Sequence, residues 1–403
     1  MNIEIRACKD QEELQEYGRI ISYVFANSEG VEEEITTTLP EWTTCAFIDG
    51  KMGATMGTFP FTVRLNGAGV KMGGVTAVGT LPEHRRKGIL RKIMTQGFAE
   101  MRERGQAYAI LWASMGAIYQ RFGYGLASTG VDYTFDPRFA GFESGPEPTG
   151  NVSLMAKDEA YPILKQLYIQ FASPRNLQIH RAPALWEASV FRPRKKGEPV
   201  YFGVYRNGDG EARGHIVYRT YEEDRPGPNQ TLDVSDFVAL DMDAYRGLWG
   251  YIRRHDLVGT VKMRGVVGED DPAPDLLLEP RVLRRSTQDA IWMRVVDIEK
   301  AVPQRPYGDR GELTFRVDGD AMCPWNEGTW LFETDGTTTD IRRTDRAADL
   351  EMPLNTLASL LAGHRAATHY QRAGRLTANS DNALRAADRL FATAYAPFCS
   401  NGF

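Results

Sequence analysis

The run from Val78 to Leu90, Val-Gly-Thr-Leu-Pro-Glu-His-Arg-Arg-Lys-Gly-Ile-Leu, is where residue types and spacing point most directly to chemistry. Its first residues end an extended stretch, Gly74 to Thr80. Its last residues open an apolar stripe at helical spacing, Leu90, Ile93, Met94, Gly97, Phe98 and Met101, with Arg91, Lys92, Gln96, Glu100 and Arg102 turned outward. A strand that turns into a helix leaves amide N–H groups unpartnered at the helix start. Those donors, the positive end of the helix, and Arg85, Arg86 and Lys87 form a cradle suited to a pyrophosphate. A side chain at Gly88 would hold phosphate oxygens away from the amides. Neither GxxxxGK with Ser or Thr nor GxGxxG fits the string. A solvated basic helix start reads the same way, so the turn alone leaves both meanings open.

A second stretch, Ala113-Ser-Met-Gly-Ala-Ile-Tyr-Gln-Arg-Phe-Gly-Tyr-Gly125, follows a buried-looking strand, Tyr108 to Ala113, and reads as a short helix or turn. It offers two phenols, Tyr119 and Tyr124. A phenol ordinarily titrates near about 10 and can give a proton at neutral pH. Core packing would use the same rings, and spacing does not choose between them.

The elements around these stretches read as a repeat. Asp10 and Glu13 form a capping pair ahead of Leu14, Tyr17, Ile20, Ile21, Val24 and Phe25, an amphipathic helix. Asp49-Gly50 and Asn66-Gly67 punctuate an antiparallel meander of about three strands between 44 and 80. Residues 136–150, rich in Pro and Gly, mark a boundary. A helix from Asp158, a hairpin about Asn207-Gly-Asp-Gly210, a strand from Leu232 and a helix through Leu248 and Ile252 then follow the first order again. Val238 to Trp249 echoes Val78 to Leu90, but with most of the positive charge gone. A third α+β unit carries strands, the turn Asp335-Gly336, and helices around 354–361, 364–372 and 382–395. The expected units are 1–150, 151–290 and 291–403.

The chain has 403 residues, 48 basic and 53 acidic side chains, a net charge of -5 and four cysteines without metal-like spacing. That length needs more than one core, and the charge gives no general polyanion-binding surface, so no nucleic-acid partner is expected. No zinc signature is legible among the cysteines and six histidines. No apolar stretch reaches the roughly 20 residues that cross a bilayer, and the first residues do not read as a signal peptide. The expectation is a cytoplasmic protein with reduced thiols and no membrane partner.

Arg85-Arg-Lys-Gly-Ile-Leu90 resembles the coenzyme A pyrophosphate loop of the GNAT superfamily of N-acetyltransferases, written as Arg or Gln, two residues, Gly, one residue, then Gly or Ala. Leu90 departs from that last position. With Ala113 to Gly125 following, the chain resembles more narrowly the Eis-type (enhanced intracellular survival) N-acetyltransferases, over its whole length. The resemblance implies an α+β / α/β architecture of tandem GNAT-like domains, mixed central sheets flanked by helices, plus a C-terminal sterol carrier protein-like α+β domain. The second GNAT-like domain would lack a functional cofactor loop.

The resemblance also implies site residues. Backbone groups of Val78, Gly79 and Thr80 would meet the pantetheine of acetyl-CoA. Arg85, Arg86, Lys87, Gly88, Ile89, Leu90 and Arg91 would hold its pyrophosphate, and Ser114 and Met115 would line the opening between strands. Tyr119 would be the general acid. The α-carboxylate of Phe403 would be the general base; such a group ordinarily titrates near about 3.5 and is ionised at neutral pH. The acceptor would be a primary amine of aminoglycoside, polyamine or lysine type, attacking directly in a ternary complex without a metal. Glu29, Glu32, Glu33, Glu34 and Glu41, near Phe25 and Trp42, would attract such a cation or simply face solvent. Relatives carry an acidic residue close after the first helix, where Phe25-Ala-Asn-Ser28 has none. A hexamer is implied as well. The competing reading is a non-catalytic carrier or sensor that holds coenzyme A and lipid.

Overall fold

The computed structural model describes residues 2–26, 38–143, 145–224 and 226–403. The chain first forms β1 (Ile3–Arg6), α1 (Gln11–Phe25), β2 (Cys45–Ile48), β3 (Lys51–Leu65), β4 (Ala68–Thr80), α2 (Ile89–Glu103), β5 (Tyr108–Trp112), α3 (Gly116–Gln120) and β6 (Gly125–Leu126). Next come β7 (Thr129–Phe135), β8 (Asn151–Met155), α4 (Lys157–Ala172), β9 (Tyr201–Arg206), β10 (Ala212–Glu222), β11 (Gln230–Ala239), α5 (Met242–Arg253), β12 (Val258–Val267) and β13 (Ser286–Asp289). The last segment forms β14 (Ile291–Val295), α6 (Ile298–Gln304), β15 (Gly311–Val317), β16 (Gly328–Thr334), β17 (Thr339–Arg343), β18 (Leu350–Glu351), α7 (Leu354–Ala362), α8 (Ala367–Arg372), β19 (Thr377–Ala378) and α9 (Asp381–Leu390).

Among the described residues, these strands build three sheets. The first runs β1-β2-β3-β4-β5-β14-β6, the second β13-β7-β12-β11-β10-β9-β8 and the third β17-β16-β15-β18-β19. The first two share a plan. Each has an antiparallel meander and one parallel pair, β4 with β5 and β11 with β12, in which a helix provides the crossover. The meander begins as its turn residues dictate: Asp49, Gly50, Asn66 and Gly67 all have positive φ, as tight hairpin turns require. The helix after β1 is capped by Asp10, which accepts from the Glu13 N–H at 2.9 Å. Glu13 does not close a reciprocal box; it accepts from the Lys9 N–H and from Arg6.

Sheet membership cuts across contiguous boundaries at 150 and 290. Strand β7 leaves the first unit to pair with β12 and β13, and β14 returns to pair with β5 and β6. The two sheets are thus stitched by exchanged strands. The third sheet packs its helix α7 on β14 and β6, so one apolar core joins Met72, Ile110 and Met293 to Phe332, Leu357 and Leu360. The helix expected at 364–372 begins only at Ala367, because His364 lies in the link after α7 and faces β7.

That histidine generates a prediction. Its Nε2 lies 3.0 Å from Thr129 Oγ1, and burial, helped by Arg365, pushes its pKa down to about 4 from 6.5. The unfolded chain therefore binds this proton first, and stability should fall as pH drops from 6.5 through 4. The loss is on the order of 3 kcal/mol if the side chain stays in place. Urea midpoints measured between pH 7.5 and 4.5 should fall, and His364→Gln should flatten that fall. An equal slope in the variant would contradict the assignment.

Candidate active site

Strands β4 and β5 pair at Met72 with Tyr108, Gly73 with Ala109 and Gly74 with Ile110, and nowhere beyond. Past that point β4 keeps its partner β3 as far as Thr80, and β5 keeps β14 as far as Trp112. The facing edges part, so backbone groups on both strands lose ladder partners. A cavity of about 130 Å³ fills the gap, lined by Val75, Thr76, Ala77 and Val78 from β4 and by Trp112, Ser114 and Tyr119 from the other side. Phe25 and Phe403 complete its wall.

The edge of β4 is not regular. Its register with β3 shifts by one residue between Thr55 and Gly57, and Ala77 sits at φ +50. A β-bulge re-aims the backbone locally, and a non-glycine residue in this region marks strain of the kind that collects at functional sites. The Thr55 hydroxyl donates to the Ala77 carbonyl at 2.9 Å and holds the bulge. No sequence signal marked Ala77.

Tyr119 and Tyr124 are separated by their surroundings. Tyr119 is 6% exposed and lines the cavity; Tyr124 is fully buried, does not line it, and packs edge to face on Tyr119 at 5.9 Å. Burial raises the Tyr119 phenol above its ordinary 10, and a hydrogen bond with Ser114 opposes the rise. The group is therefore a neutral donor at pH 7. The turn that carries it is fixed from below: the Arg294 guanidinium donates to the Phe122 carbonyl and to Asp320 Oδ1 at 2.6 Å, and lies 4.2 Å from the Phe98 ring. Arg294 and Asp320 are each almost fully buried.

The basic turn stands at the open end of β4. Gly88 is the N-cap of α2 with φ +75 and offers no side-chain cap, leaving the first amides of α2 available. A Cβ at Gly88 would meet no atom within 4 Å, so within this chain glycine is required by its backbone angle. Arg85, Arg86, Lys87 and Arg91 are exposed, and Arg85 Nε donates to the Thr80 carbonyl at 3.0 Å. Ile89 is 2% exposed in the core, which leaves only its backbone to face a ligand; Leu90 is half-buried beside it. Gly79 and Thr80 continue β4 from the cavity toward this turn. Met115, 61% exposed, adjoins Ser114 but does not line the cavity.

The chain end reaches the same cavity. The Phe403 ring packs on Phe61 at 4.9 Å, and Trp112 Nε1 donates to the Asn401 carbonyl at 2.9 Å. Gly74, the last residue of β4 paired with β5, makes room: a Cβ there would run into the Phe61 ring and touch Phe403 Cε2 at 3.4 Å. Trp42, Phe59, Phe61 and Phe403 follow one another ring to ring. Of the acidic cluster, Glu41 is exposed beside Trp42, while Glu29, Glu32, Glu33 and Glu34 lie outside the described residues.

Comparison with known proteins agrees with this geometry. Residues 4–127 and 177–295 each match an acetyltransferase (GNAT) domain family, and 298–400 match a sterol carrier protein domain. An uncharacterized N-acetyltransferase of Streptomyces avermitilis is 30% identical over 355 residues, covering 87% of this chain and 86% of that protein. The N-acetyltransferase Eis of Mycobacterium tuberculosis is 27% identical over 341 residues, 79% of this chain and 78% of that one. The chain belongs to the Eis-like N-acetyltransferases of the GNAT superfamily. The solved structure of Eis1 from Mycobacterium abscessus, 28% identical, superposes with a TM-score of 0.84 over 99% of this chain and all of that one. A GCN5-related N-acetyltransferase from Anabaena variabilis, 21% identical with a TM-score of 0.88 over the full length of both chains, shares the fold.

This Eis-like chain is thus an acetyltransferase, a member of a superfamily that uses acetyl-CoA. Its fold is two GNAT domains followed by a sterol carrier protein domain. The second GNAT domain differs at the corresponding helix start. There, Asp241 caps α5 by accepting from the Ala244 N–H at 2.9 Å, and Asp243 adds negative charge in the first turn. Two carboxylates occupy the position where the first domain presents open amides and arginines, and they repel a phosphate.

Gly88→Asp is expected to cost at least about 100-fold in acetyl-CoA affinity by calorimetry, because it sets a carboxylate at an anion-attracting helix end. Unchanged affinity would remove the start of α2 as the pyrophosphate seat.

Proposed function

We propose that the chain transfers acetyl from acetyl-CoA to a primary amine in a ternary complex, with Tyr119 as general acid and the Phe403 α-carboxylate as general base. The observation that carries this reading is that the parted strands, the buried phenol and the chain terminus line one cavity. The co-substrate supplies an activated acyl group as its thioester; the chain supplies the rest. Val78 and Thr80, on either side of Gly79, turn backbone groups away from β3 toward the pantetheine arm and the thioester carbonyl. Arg85, Arg86, Lys87 and Arg91, with the amides after Gly88, bind the pyrophosphate. Ser114 and Met115 lie where the arm passes between the strands, and Ser114 keeps the Tyr119 hydroxyl in place.

Proton bookkeeping sets the demands on the cavity. The Phe403 carboxylate takes one proton from the acceptor ammonium and the freed nitrogen attacks the thioester carbon. As the carbon–sulfur bond breaks, Tyr119 gives its proton to the departing sulfur, the second nitrogen proton, made acidic by C–N bond formation, restores the phenol, and the Phe403 carboxyl releases its proton to solvent. An ordinary ammonium near about 10.4 and an α-carboxyl near about 3.5 differ by about 9 kcal/mol, too much for a fast step in water. Burial lowers the first value and raises the second. Trp112 and Phe403 line the cavity, with Phe61 packed behind Phe403, and these rings supply the apolar surroundings.

Aminoglycoside, polyamine and lysine-type amines all fit this demand, and Glu41 with its acidic neighbours in sequence provides the attraction for a cation. A cytoplasmic location and a hexameric assembly form part of the same proposal; sedimentation analysis tests the assembly. Thiol release from acetyl-CoA should be stimulated by at least one of kanamycin, spermidine or a lysine peptide. Tyr119→Phe should lower that turnover by about 10²–10⁴-fold, the usual worth of a general acid, and leave acetyl-CoA binding intact. Turnover unchanged in Tyr119→Phe would assign the proton to another donor.

A further inference from the structure

The second GNAT domain buries a charged pair whose further hydrogen bonds reach beyond that domain. The Arg181 guanidinium, 4% exposed, donates to both oxygens of Asp236 on β11, at 2.7 and 2.8 Å. It lies 3.6 Å from the Tyr168 ring centroid and 4.6 Å from that of Trp186. His215 Nε2 stands 2.8 Å from Asp236 Oδ2. Burying such a pair costs about as much desolvation as its attraction returns, so well-packed apolar residues would serve stability equally. Its remaining donors show another use. Arg181 Nε donates to Asn401 Oδ1 at 3.2 Å, and Nη2 to Ser400 Oγ at 3.0 Å.

Asn401 is fully buried, and its side-chain amide and backbone carbonyl are engaged across domains. Its side-chain amide donates to Ser189 Oγ at 3.1 Å in the second domain, and its carbonyl accepts from Trp112 in the first domain's cavity. Upstream, Gln178 Nε2 donates to the Phe398 carbonyl at 2.6 Å. Chain ends usually fray; this one is clamped two residues before it stops. Two residues reach at most about 7 Å, so holding Asn401 confines the Phe403 carboxylate to the cavity.

We infer that Arg181, oriented by Asp236, is a positioning residue for the terminal carboxylate, and that the second GNAT domain is the receptor that sets the chain end in the first domain's active site. This rests on the reading of Phe403 as the base. A lysine could not replace Arg181, because one ammonium cannot hold a carboxylate in a fork and also two tail residues.

The test compares the full chain, the chain extended by a short polar segment after Phe403, Asn401→Ala, and the extended Asn401→Ala chain. The extension should lower kcat by about 10²–10³-fold. Asn401→Ala should lower it by about 10–100-fold through misplacement alone, with the KM for acetyl-CoA within about twofold. In the doubly altered chain the losses should not multiply, since both act through one carboxylate. Arg181→Lys should reproduce Asn401→Ala; should it not fold, Asn401→Ala carries the test. An extension without effect would sink the reading of Phe403 and the inference with it. An extension that lowers kcat while Asn401→Ala does not, or losses that multiply, would overturn the inference and leave the reading standing.

Discussion

The parting of β4 from β5 after Gly74 and Ile110 is the constraint on which the rest of this structure depends. A parallel pair that stayed zipped would satisfy every backbone group and leave no opening. Once the strands separate, their inner edges require partners, and the cavity can admit an extended, amide-bearing arm between them. The bulge at Ala77 lies on the freed edge, and the helix start capped by Gly88 stands beyond its far end.

Neither group proposed to handle protons is held by the first domain alone. The turn bearing Tyr119 rests on Arg294, which is paired with Asp320 of the sterol carrier protein domain. The segment bearing Phe403 rests on Arg181, which is paired with Asp236 of the second GNAT domain. Both ion pairs are almost completely buried. Each accessory domain thus contributes an aspartate to a buried arginine–aspartate pair that supports a segment lining the cavity.

Much of this was legible in the sequence where the signal is local. The dipeptides Asp49-Gly50 and Asn66-Gly67 marked their turns because positive φ restricts residue choice, and the stripe from Leu90 to Met101 marked α2 because a buried face must repeat every turn. The basic turn was legible for the same reason: its donors and charges are contiguous. The exchange of β7 and β14 was not, since nothing in Thr129–Phe135 or Ile291–Val295 says which sheet edge each will join. The Arg181–Asp236–Asn401 chain was equally hidden. Its members lie 55 and 220 residues apart, and each alone looks like an ordinary polar residue. Spacing did not choose between Tyr119 and Tyr124, both aromatic residues of one turn; the resemblance pointed to Tyr119, and in the fold Tyr119 lines the cavity while Tyr124 does not.

Hydrogen–deuterium exchange of the chain with and without acetyl-CoA tests the parted strands as the seat of the co-substrate most directly. The account predicts slowed exchange at the amides of residues 75–80 and 89–92, and little change along β11 and α5. Protection confined to the second GNAT domain, or none on β4 and at the start of α2 despite saturating ligand, would contradict it.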